Sequence, residues 1–108
     1  MGEAVVQRDE RGRIAMMTIQ SDGMSDEARV SVMCMLRAVA ESLRDYLHVD
    51  PESSFDEDRA LVSVNRTDQH LDREINAVLA TAVQALRIVE REHPDELIVH
   101  DVAVEVEV

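Results

Sequence analysis

The chain has 108 residues, 45% of them hydrophobic, with no Trp, one Phe (Phe55) and one Tyr (Tyr46). That length suits a single domain spanning 1–108 with one core, and the apolar fraction excludes a wholly disordered chain. The formal net charge is −12, with eleven Arg and no Lys; such acidity repels phosphate backbones, so no direct nucleic-acid binding is expected and a basic partner is favoured.

With so few aromatics the core must be aliphatic. Ala4 to Gln7 reads as a short strand, and the charged run Arg8–Arg13 with Gly12 suits a hairpin turn. Ile14–Gln20 reads as the returning strand. The next loop, Ser21-Asp22-Gly23-Met24-Ser25-Asp26, ends at a helix start. Ser25 is a good N-cap, with Asp26 and Glu27 favouring the positive helix end; Ser31 is a second candidate. Met33, Leu36, Ala40, Leu43 and Leu47 then recur at helical spacing. Val49–Asp58, polar and holding Pro51, is expected as a mobile loop or a hairpin tip. Ala60–Val64 reads as a strand. A second helix is expected from about Asp68 to Glu92, with Ile75, Leu79, Ala82, Leu86 and Val89 on one face and Pro94 ending it. Leu97–Val108 closes as a strand whose alternation suits one face in water. The predicted fold class is α+β: a β-hairpin, a helix, one or two strands, a helix and a C-terminal strand, forming a sheet packed against two helices.

Other features bound the function. One cysteine, Cys34, cannot form an intramolecular disulfide, and no Cys/His spacing fits a structural zinc site. No metal or cofactor is expected. No stretch has signal-peptide or membrane-span character, so a cytoplasmic protein with no membrane association is expected. Asp50, Glu52, Asp56, Glu57 and Asp58 lack the spacing of a calcium loop and read as solvated acids. Met16, Met17, Met24, Met33 and Met35 read first as core filling and second as an adaptable surface. Val102, Val104, Val106 and Val108 would form a row on a strand that either pairs within its own sheet or offers an edge.

Three stretches carry a family resemblance. They are Arg8–Ile14 followed by Met17-Thr18-Ile19, then Val32-Met33-Cys34, and Leu79 through His93-Pro94 with Ile98-Val99. With the element order and chain length, they resemble the ribosomal-processing cysteine proteases, the Prp family. The resemblance spans most of the chain and is weakest over Asp50–Asp58. It implies removal of an N-terminal extension from a large-subunit ribosomal protein, a homodimer, and Cys34 as the nucleophile. The acidic loop would then meet the basic tail of that ribosomal protein.

The family's catalytic histidine lies in a Gly-His-Ala motif twelve positions before the cysteine. Here that position is Asp22, within Ser21-Asp22-Gly23. Ser31 replaces the family's acidic residue, Met35 and Leu36 its small residues, and Ala38 its serine. A carboxylate is a poor substitute for imidazole. Beside a thiol it disfavours the thiolate, and once ionised it has no proton for the leaving amine. The expectation is therefore a weakened or inactive protease, or a binding or ribosome-assembly module of the same fold. Cys34 is then a working nucleophile or a small buried hydrophobe. His70 or His100 would have to reach it to restore a dyad; His48 and His93 end the two helices.

Overall fold

Alternation along the strands decides which way the sheet faces. In the computed structural model, which describes residues 1–67 and 70–103, β1 (Gly2–Arg8) buries Ala4 and Val6, and β2 (Ile14–Gln20) buries Met17 and Ile19. The residues between them, Val5, Met16 and Thr18 among others, point to the opposite face. β1 and β2 pair antiparallel with a register shift at Gln7/Arg8, so both strands keep their apolar set on one side.

The first helix, α1 (Asp26–Asp45), starts where Ser25 Oγ accepts the Ala28 amide at 3.3 Å. Ser31, the other candidate cap, lies inside the helix and donates to the Glu27 carbonyl. Ala28, Val32, Leu36, Val39, Ala40 and Leu43 form its buried stripe. His48, in the left-handed region at φ 55°, follows the helix end, and the Val49 amide returns to the Leu43 carbonyl at 2.9 Å.

The acidic stretch expected as a loop or hairpin tip is the latter, and more ordered than a tip. β3 (Glu52–Phe55) pairs antiparallel with β4 (Arg59–Ser63), closed by the Asp56 amide on the Arg59 carbonyl. Phe55 packs against the core, which is why four residues of a polar run hold strand geometry. The second helix, α2 (Asp72–Glu92), begins later than the expected Asp68; Asp68 and Gln69 lie outside the described residues. β5 (Leu97–Ala103) follows Pro94 and pairs parallel to β1, with Gly2 opposite Leu97. The rest of the predicted terminal strand, 104–108, lies outside the described residues.

The result is a five-stranded mixed sheet in the order β3-β4-β2-β1-β5, with α1 and α2 on one face and the other face open. The fold class is α+β as expected, with two strands between the helices. The core is aliphatic: Met17, Ile19, Leu36, Leu43, Leu79, Leu86 and Leu97 are its largest fully buried side chains. Met17 and Met24 are core filling; Met16, Met33 and Met35 are half-buried. Among the described residues no helix is long and apolar enough to cross a membrane.

One charge lies inside. The Arg66 side chain is 3% exposed and its guanidinium meets the Ile14 carbonyl at 2.9 Å, Asp72 at 2.6 Å and Asn76 at 2.5 Å. Arg13 joins from the hairpin, reaching Asp72 at 3.1 Å and Asp9 at 2.8 Å. Arg66 Nε is the one buried side-chain polar atom without a partner among the described residues. Replacing Arg66 by Met should destabilise the fold, because the Ile14 carbonyl and Asn76 lose their buried donor while Asp72 keeps only Arg13 among the described residues. Urea unfolding at neutral pH checks this; a loss below about 1 kcal/mol would place the pair with ordinary surface bridges.

Acid should act on the same network. The Arg66 hydrogen bond, opposed by burial, holds Asp72 below its usual value. For Asp9 burial works upward, but hydrogen bonds from Arg13 and Arg11 outweigh it. Arg8 does the same for Asp101. A carboxyl lowered by folding contributes stability that is complete above its unfolded value, near pH 4, and is lost as pH falls through the folded one. The thermal midpoint should therefore drop below about pH 4, and Asp72→Asn should flatten that drop. Identical acid profiles for the two proteins would exclude Asp72 as a source.

Candidate functional site

The loop between β2 and α1 carries Asp22, and it is tied at both ends. Ser21, fully buried, gives its amide to the Asp58 carbonyl at 2.8 Å and its hydroxyl to the same oxygen at 3.1 Å. The Met24 amide closes a turn on the Ser21 carbonyl, with Gly23 at φ 82° where a side chain would be strained. A Cβ on Gly23 would also stand 2.7 Å from the Met1 nitrogen. At the far end the Ser25 amide donates to Glu96 Oε1 at 2.6 Å. That bond, with burial opposing, holds the Glu96 carboxyl below its usual value, and His93 Nδ1 lies 3.3 Å from its other oxygen. Asp22 is exposed at the tip of this turn.

Cys34 lies on the third turn of α1, because the helix begins at Asp26 and not near Ser31. It is beyond the first turn, where the positive helix end acts. It is also exposed, so it is no buried core residue. It lines a cleft of about 340 Å³ with Arg29, Met33, Arg37, Phe55, Asp56 and Glu57. Arg37 stacks on the Phe55 ring at 4.9 Å, and Arg29 pairs with Asp26 and, at 3.6 Å, with Asp58. No side-chain hydrogen bond joins Asp22 to Cys34, and Asp22 does not line the cleft.

No histidine lines it either. His100 is on β5, opposite Val5 and at the other end of the sheet from β3, four strand spacings or roughly 20 Å away. His48 follows the C-terminal end of α1, which lies roughly 16 Å from Cys34 along the helix axis. His70 lines a different and larger cleft of about 610 Å³ with His48, Tyr46 and Asn65. His93 is the histidine nearest in connection to the Asp22 loop, through Glu96. Nothing in the sequence signals this: Glu96 follows a helix-ending proline in a run of polar residues.

The site thus holds an exposed thiol between two guanidinium groups and two carboxylates. It holds no imidazole to take the thiol proton and return it to an amine. Among the described residues no three His, Cys, Asp or Glu side chains converge as metal ligands would.

Solved structures supply the comparison. SMU.848 from Streptococcus mutans superposes with a TM-score of 0.84 at 11% identity, covering 96% of each chain. The essential ribosomal processing protease Prp from S. aureus, in complex with a substrate peptide, gives 0.83 at 13% identity, covering 94% of this chain and all of that one. The same protease with a covalently linked product peptide gives 0.80 at 13% identity, with the same coverage. The chain shares the Prp fold. No family model matches it, and no curated protein matches by sequence. The expected architecture is therefore supported by fold, while 11 to 13% identity carries no residue roles across.

If Glu96 holds the loop, Glu96→Ala should speed hydrogen exchange at the Ser25 and Met24 amides and leave Leu36, inside α1, unchanged. Mass spectrometry or NMR reads this; unaltered exchange in the loop would show that Ser21 and Met24 suffice.

Proposed function

We propose that this chain binds a basic ribosomal-protein tail in the manner of a Prp-type protease while hydrolysis is lost or severely weakened. The observation that carries the reading is the composition of the Cys34 cleft, which holds arginines and acids but no imidazole. Asp22 stands where the resemblance implies the catalytic histidine, and it is exposed on a turn fixed at both ends. The net charge of −12 supports a cationic partner. Support for a peptide as that partner comes from the shared fold, since the S. aureus protease of this fold takes a substrate peptide. Action in the cytoplasm and as a homodimer accompany this reading.

A working cysteine protease is the second reading, and one observation favours it: Cys34 is exposed on a cleft and not buried. A peptide carrying the N-terminal extension of a large-subunit ribosomal protein separates the two. Binding that weakens as salt rises, with no cleavage product, is expected of the native protein. Because Asp22 does not line the cleft, Asp22→His alone is expected to leave the peptide uncut. Product from the unaltered chain that disappears in Cys34→Ala would establish the protease. No binding even at low ionic strength would remove the gripping role.

A further inference from the structure

The two edges of the sheet are treated differently by the chain. On β5 the first two outer amides are occupied: the Leu97 amide meets the His93 carbonyl at 3.3 Å, and the Val99 amide meets Glu90 Oε2 of α2 at 2.7 Å. Asp101 beyond them is held by Arg8 at 2.9 Å and Arg87 at 3.3 Å. On β3 nothing comparable occurs. The Asp56 amide bonds the Arg59 carbonyl, which sets the phase of the β3–β4 ladder: Ser54 bonds Leu61 and Glu52 bonds Ser63. The β4 side agrees, because Val64 bonds Ala15 of the other neighbour and so Val62 and Ala60 face β2. Ser53 and Phe55 therefore turn their amides and carbonyls outward, and among the described residues nothing bonds them.

We infer that the outer edge of β3 accepts an extended cationic peptide as a sixth strand, an inference that rests on the peptide-binding reading above. Main-chain bonds at Ser53 and Phe55 would align the peptide without reading its sequence. Charge selects the occupant. From Asp50 to Asp58 the chain carries five acids and no base; Asp50 and Asp58 face Arg44 and Arg29, which leaves Glu52, Asp56 and Glu57 without an ion pair among the described residues. Glu52 and Glu57 are exposed at the two ends of the strand. A second copy of this chain would bring the same five acids against them, so self-pairing is opposed while lysine or arginine side chains are attracted. Position supports the same occupant. Ser53 and Phe55 face the helix side, where Phe55 and Arg37 border the Cys34 cleft. Alternate side chains of an added strand would enter that side, and the others would lie beside Ser54 on the open face.

The test uses the full chain labelled with ¹⁵N and a synthetic peptide alternating lysine and valine, with a glutamate-for-lysine peptide as control. Amide hydrogen exchange is followed with and without peptide. The lysine peptide is expected to protect Ser53 and Phe55 and to leave Val99 as it was; the glutamate peptide should protect neither. Glu52→Gln with Glu57→Gln should weaken binding and reduce its salt dependence, and Ser53→Pro, which removes one outward amide and no ladder bond, should weaken it about threefold to tenfold. The exchange readout stands even if Ser53→Pro fails to fold. Protection confined to the Cys34 cleft, with β3 unchanged, would overturn the edge inference and leave the peptide-binding reading intact. No binding of any cationic peptide, the ribosomal-protein tail included, would overturn both. Protection of β3 that grows with protein concentration in the absence of peptide would make a second copy the occupant and overturn the inference.

Discussion

Arg66 places a charge under the end of the sheet where β4 hands the chain to α2, and the architecture turns on how that charge is satisfied. Its guanidinium reaches back to the carbonyl of Ile14 at the start of β2 and forward to Asp72 and Asn76 in the first turns of α2. The start of β2, 52 residues away in sequence, is thereby tied through one group to the first turns of α2. α2 has no side-chain cap; Leu71 enters it in the left-handed region. The carboxylate of Asp72 in the first turn does part of a cap's electrostatic work and also answers Arg66 and Arg13. A buried ion pair is a poor source of net stability compared with packed hydrocarbon. Its contribution here is directional: it fixes how α2 leaves the sheet, while Ile75, Leu79, Ala82, Val83 and Leu86 provide the adhesion.

Most of this frame was legible in the residues. The hairpin, both helices and the closing strand follow from alternation at period two and from apolar spacing at three and four. β2 was bounded as the structure has it, Ile14–Gln20. β3 was not bounded, and the reason is physical. Glu52-Ser53-Ser54-Phe55 has no apolar alternation of its own, and it is a strand because β4 offers a ladder and Phe55 finds the core. The start of α2 was misplaced because Asp68 and Asp72 are equally plausible acids for a first turn. Nothing local says that Arg66 is buried and claims the second of them.

The candidate site was legible in part. Cys34 could be singled out from the sequence, but its surroundings could not, because they come from other elements: Phe55 and Glu57 from the β3–β4 hairpin, Arg29 and Arg37 from other turns of α1. The alternative of a small buried hydrophobe failed for a simple reason. The buried stripe of α1 runs through Val32, Leu36 and Val39, and residue 34 falls off it. The Asp22 loop shows the converse. The sequence marks it as a loop leading into a helix, yet Ser21 is fully buried and Glu96 holds Ser25, so the loop is part of the frame.

The parallel pairing of β1 with β5 has a consequence for how the chain is made. β1 finds its first neighbour at once, across the short turn to β2, but its second neighbour begins at Leu97, opposite Gly2. Closing so long a loop delays that contact relative to the local ones. On an emerging polypeptide, Ala4 and Val6 thus wait beside an empty ladder while the two helices and the β3–β4 hairpin are synthesised. A chain stalled or cut before Leu97 would carry that bare strand into the cell, where the hazard is pairing with another unfinished chain.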